Sequence, residues 1–160
     1  MRLPRSAPEI GFSRRALLRA VPACGLAALV PACSEVTPAP RTIKWGRDLC
    51  EHCHMVFGDR RFVAQIWDAE YNRARIYDDF GCAVLAAVDK NIPDASTIPF
   101  WVNDEDQPAQ WLEARTARYR EGVTTPMGYG YAPGRSARHG LTFRKAATAI
   151  RVKAGCEHRS

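Results

Sequence analysis

Residues 61–90 read RFVAQIWDAEYNRARIYDDFGCAVLAAVDK, a run in which strand-like alternation gives way to helical spacing. Arg61 to Asp68 and Ala74 to Tyr77 are β-branched and aromatic runs separated by the polar Ala69-Glu70-Tyr71-Asn72-Arg73, which predicts a hairpin. Alternation puts Phe62, Ala64 and Ile66 on one face. Asp78-Asp79 then offers helix N-caps ahead of Phe80, Val84, Leu85 and Val88, whose spacing predicts a helix ending near Lys90. Asn91, Pro93 and Asp94 stop it.

Ile98 to Asn103 and Trp111 to Tyr119 read as two more strands, joined by Asp104-Glu105-Asp106-Gln107-Pro108, a solvated turn. Thr124 to Gly134, rich in Gly, Pro and aromatic residues, predicts a loop or short extended segment. Leu141 to Val152 has helical spacing at Phe143, Ala147 and Ile150. The order is hairpin, helix, hairpin, helix. It predicts an α+β fold of two similar small hairpin-plus-helix units packed into one domain, because no long crossover helix joins consecutive strands as a parallel sheet would require.

Upstream, Ser13-Arg14-Arg15-Ala16-Leu17-Leu18-Arg19 precedes the apolar Ala20 to Val30, the order of a signal peptide spanning residues 1–32. The paired arginines resemble the twin-arginine export signal. Val30-Pro31-Ala32-Cys33 resembles a bacterial lipobox, which would make Cys33 the acylated N-terminus. Val21-Pro22-Ala23-Cys24 offers the same pattern with almost no apolar region ahead of it. Residues 33–42, with Pro38 and Pro40, read as a tether, and the folded domain is expected over residues 43–155.

The formal charge of +6 over 160 residues belongs largely to the leader: residues 1–32 carry five Lys/Arg against one Glu, leaving 18 against 16. A nearly neutral mature domain gives no electrostatic footprint for nucleic acid. With Cys24 removed and Cys33 acylated, Cys50, Cys53, Cys82 and Cys156 remain, and four thiols permit three pairings.

Asp48-Leu49-Cys50-Glu51-His52-Cys53-His54-Met55 places two thiols, two imidazoles and a thioether between Cys50 and Met55. Thiolate and thioether sulfur favour copper(I), whereas imidazole also serves zinc and iron. Met127 stands in Thr125-Pro126-Met127-Gly128-Tyr129-Gly130, where flanking glycines remove bulk around its sulfur. A thioether cannot be lost to a disulfide, which suits an oxidising compartment. Two or three soft ligands also suit exchange, while closed four-ligand sites suit structure.

The D-x-C-x-x-C-x-M at Asp48, Cys50, Cys53 and Met55 resembles the N-terminal signature of the NosL family, accessory lipoproteins of nitrous oxide reductase. Tyr77-Asp78-Asp79-Phe80-Gly81-Cys82, Trp101-Val102-Asn103-Asp104 and Thr125-Pro126-Met127-Gly128-Tyr129-Gly130 are similar to further family segments, so the resemblance covers residues 45–150. It implies a periplasmic copper(I) chaperone, held at a membrane by its lipid, that supplies the copper centres of nitrous oxide reductase and docks on an ABC-type accessory complex. It also implies sulfur ligands among Met127, Cys50, Cys53 and Met55, with His54 the nearest nitrogen donor. Such a carrier is no enzyme.

Rival readings share the same residues. Cys50-Glu51-His52-Cys53-His54 matches C-x-x-C-H, the attachment motif of c-type haem in an electron carrier, with His54 and Met127 as axial ligands. The strand-like run after the motif and a leader that exports folded proteins weigh against it. A thiol-disulfide oxidoreductase would need a strand before Cys50, and a structural zinc knuckle would need a second ligand pair. Cys82 reads as a small buried apolar side chain and Cys156 as a terminal thiol. His52, His139 and His158 have no companion at ligand spacing, and no carboxylate pair sits beside a nucleophile.

Overall fold

A computed structural model of the chain describes residues 36–155, with two helices and two small antiparallel sheets, an α+β fold. The leader, Cys24, Cys33, Cys156 and His158 lie outside the described residues. Strands β1 (Ala64–Asp68) and β2 (Arg73–Tyr77) form the expected hairpin, in a register running from Ala64 opposite Tyr77 to Asp68 opposite Arg73. The Asp68 carboxylate accepts from Glu70 N at 3.1 Å, and Asn72 turns the chain with φ 47°. Phe62, Ala64 and Ile66 are all buried, but Arg60–Phe62 is a 3-10 turn capped by Asp59 rather than the start of the strand.

Helix α1 (Phe80–Asp89) begins where the aspartates predict, with the Asp79 carboxylate accepting from Gly81 N. Every residue from Phe80 to Ala87 is buried, because Gly81, Ala83, Ala86 and Ala87 leave room for neighbours on all sides of a short helix. Strand β3 (Phe100–Asn103) pairs with β1, and β4 (Trp111–Glu113) pairs with β3. The first sheet therefore runs β2-β1-β3-β4. The expected division into two similar hairpin-plus-helix units is not confirmed, since the second hairpin extends the sheet of the first.

The predicted strand Trp111 to Tyr119 is broken. The Glu113 carboxylate accepts from Thr116 N at 2.8 Å and its carbonyl from Ala117 N at 3.0 Å, so the chain turns there. It re-emerges as β5 (Arg118–Glu121) in a second sheet, ordered β6-β5-β7, with β6 (Tyr131–Pro133) and β7 (Leu141–Thr142). Helix α2 (Phe143–Lys153) is capped by Thr142. Nor is Asp104 part of a solvated turn: it is fully buried, accepts from Asp106 N, and pairs with Arg135 at 3.3 Å.

Four rings join these layers. Phe80 of α1 stacks on Tyr119 of β5 at 4.3 Å and meets Phe143 of α2 edge-on at 5.8 Å, while Phe100 of β3 meets Phe143 at 5.6 Å. A smaller cluster of Ile43, Phe57, Val63 and Ile76 packs beneath Trp45 and Trp111. The chain is gripped at Arg41, whose backbone N–H and carbonyl exchange two 2.8 Å hydrogen bonds with the buried Gln65 amide. No helix among the described residues is long and apolar enough to cross a membrane.

Candidate metal centre

The Cys50 to Met55 segment is a closed loop lying on β2. Leu49 and Val56 form an isolated antiparallel bridge at its mouth. Inside it, Cys50 N donates to Met55 O at 2.9 Å and His54 N donates to Cys50 O at 3.0 Å. His54, at φ 62°, takes the left-handed conformation that reverses the chain, one that histidine tolerates better than most residues. Glu51 fastens the loop to the hairpin. Its N–H donates to Ile76 O at 3.0 Å, and its carboxylate receives Arg73 at 2.7 and 3.0 Å and Arg75 at 3.1 Å.

Directly after β2, the Asp79 cap turns the chain into α1 and sets Cys82 in the first helical turn. The loop and the helix start thus face each other across the end of β2. The sulfurs of Cys50, Cys53 and Cys82 all lie within 4.8 Å of one another, close enough to hold a metal ion. Cys50 and Cys82 have no exposed surface, Cys53 is half-buried, and none of the three is in a disulfide.

The electrostatics of the trio favour one negative sulfur at its centre. Cys50 is held down at about 4, first because the Cys82 thiol donates to it, then, against the cost of burial, by the N–H groups of Cys53, Asp78 and His52. Donating that hydrogen pushes the Cys82 thiol up, and burial adds to the rise. Burial likewise pushes Cys53 up, while the N–H of Met55 opposes it. Three adjacent thiolates repel one another, so full deprotonation requires a cation among them, which couples proton release to metal binding.

The ligands expected from sequence are distributed unevenly. Cys50 and Cys53 meet, as their spacing predicts, and Cys82, read from sequence as apolar filler, joins them. His54 is exposed and does not belong to the group of three. Met55 is 58% exposed and contributes its carbonyl to the loop. Met127, 37% exposed, lies on a loop tied to the start of α1: its N–H donates to Asp79 Oδ2 at 3.1 Å, and Tyr129 lies so close over Gly81 that a Cβ there would stand 2.2 Å from the ring. The buried Asp79 carboxyl is pushed up by burial, opposed by hydrogen bonds from the Thr125 hydroxyl and from the N–H groups of Gly81 and Met127. One carboxylate therefore fixes the start of the Cys82 helix and the Met127 loop together.

No single local pattern reveals Cys82 as a partner of Cys50. The usable signal is indirect: Gly81-Cys82 follows soon after β2, the strand to which the Cys50 loop is hydrogen-bonded through Glu51 N and Ile76 O. Comparison of the chain with family models, with curated proteins and with solved structures finds no match.

Proposed function

We propose that this protein binds one copper(I) ion through the sulfurs of Cys50, Cys53 and Cys82 and carries it to an acceptor in an exported compartment. The observation that carries the reading is the meeting of three thiols within 4.8 Å, two of them fully buried. An all-sulfur set is the softest donor environment a protein can offer, and copper(I) is the common biological ion that prefers it in trigonal form. Met127, on the loop that Asp79 ties to the helix carrying Cys82, is a soft donor available during transfer, outside the resting trigonal set. Met55 and His54, both exposed beside Cys53, are donors available during transfer rather than members of the resting site.

The resemblance of residues 45–150 to the NosL family supplies the destination: the copper centres of nitrous oxide reductase, reached from a membrane-held position through a lipid on Cys33 and an ABC-type accessory complex. Copper transfer exchanges coordinate bonds only and asks for no catalysis. The rival haem reading of Cys50 to His54 is weakened by the burial of Cys50, because a thioether link needs that sulfur open to the porphyrin edge. A closed zinc site would want a fourth ligand, and the group of three contains no histidine or carboxylate.

The test is to incubate the reduced chain anaerobically with equal amounts of copper(I), zinc(II) and iron(II) and to measure all three metals after gel filtration. One copper per chain with little zinc or iron is expected. Preferential zinc uptake, or a haem absorption band in protein made in a haem-attaching host, would overturn the reading.

A further inference from the structure

The three sulfurs are not held alike. Cys50 is fully buried, its N–H and carbonyl are both engaged within the loop, and its neighbour Glu51 is fixed to β2 by Ile76, Arg73 and Arg75. Cys82 is equally buried in the first turn of α1, beside Phe80 and the aromatic centre of the fold. Cys53 differs. It is the only one of the three that is not fully buried, and the chain that follows it runs through His54, Met55 and Val56, all exposed. An ion held by the trio is thus covered on the Cys50 and Cys82 sides and accessible past Cys53.

We propose that Cys53 is the exchange ligand of this site: the last of the three thiolates to close on an incoming copper(I) and the first to let go when an acceptor binds. Cys50 and Cys82 then form the retained pair, two sulfurs being enough to keep copper(I) in linear coordination until the acceptor supplies its second donor. This rests on the copper(I) reading above. In the exchange step the acceptor thiol loses its proton as its sulfur bonds to copper. The bond from copper to the Cys53 sulfur breaks, and Cys53 takes up one proton. Copper remains monovalent throughout, so no oxidant or reductant is consumed. Associative exchange of this kind needs one accessible coordination face, and the burial pattern provides one.

The test uses the copper-loaded full-length chain under anaerobic conditions, with limiting bathocuproine disulfonate as a copper(I) acceptor and timed pulses of iodoacetamide. Labelled positions are read by peptide mapping and copper per chain by mass spectrometry of the intact protein. The expected first product carries the label on Cys53 and still holds copper, with Cys53 reacting at least about tenfold faster than Cys50 or Cys82, as an accessible thiol should. In Cys53→Ser, the copper-retaining species should resist labelling within the trio. Equal or earlier labelling of Cys50 or Cys82 in a chain that holds copper would overturn the exchange order alone. A chain that takes up no copper would overturn the copper reading and this inference with it.

Discussion

Asp68 ends β1 and answers several donors at once: Glu70 N at 3.1 Å, Tyr71 N at 3.4 Å and the Arg75 guanidinium. Burial raises its pKa, but the hydrogen bond and charge of Arg75 and the two turn N–H groups outweigh burial and hold it below the usual carboxylate value. The folded chain therefore favours the ionised form. That contribution is complete above the ordinary carboxylate pKa of about 4 and fades as pH falls through the lower folded value. Asp68→Asn should lower the melting temperature at neutral pH by a few degrees, corresponding to about 1 kcal/mol, and the gap should narrow progressively as pH falls below the ordinary carboxylate range. Thermal unfolding of both proteins across that range checks it. The cysteines divide differently between sequence and structure. Cys50 and Cys53 are legible as candidate ligands because a C-x-x-C brings its own sulfurs together through local backbone geometry. Cys82 is not, because its partners lie across a hairpin and a helix cap, and nothing in the spacing of a lone cysteine encodes that meeting.

Gly81 shows how two elements are joined. A methyl group at this position would stand 2.2 Å from the Tyr129 ring, so the ring and the helix backbone occupy space that any side chain would claim. Gly81→Ala should improve intrinsic helix propensity yet destabilise the protein by about 1–3 kcal/mol, because overpacking forces the 125–130 loop off the helix. A lowered midpoint in urea unfolding is the expected outcome. A rise in stability would show that the loop does not depend on this contact. The elements legible from sequence were those with a long, strong pattern: the β1–β2 hairpin, α1 with its aspartate cap, and α2. Strands β4 and β5 look like one strand in the sequence because a three-residue strand followed by a side-chain-closed turn leaves no break in composition. What marks the break is Glu113 bonding to Thr116 and Ala117, a local event without Gly or Pro.

The whole molecule positions its sulfurs by packing that runs between distant parts of the chain. The first sheet carries the Cys50 loop on β2, the aromatic cluster of Phe80, Tyr119, Phe100 and Phe143 fixes α1 against both sheets, and α1 presents Cys82 at its start. The fold class was readable because the succession of patterns fixes it. The pairing of β3 with β1 was not, since register between remote strands is set by the assembled core. The consequence for function is that Cys82 should be a ligand delivered by tertiary structure. X-ray absorption at the copper edge of the copper(I)-loaded full-length protein and of Cys82→Ala, with chelator competition on both, addresses this directly. The wild type should show a first shell of sulfur alone. The variant should remain folded but show one sulfur fewer and bind copper(I) at least about tenfold more weakly, a change of about 1.4 kcal/mol. An unchanged sulfur shell and unchanged affinity in Cys82→Ala would contradict a copper site built from these three cysteines.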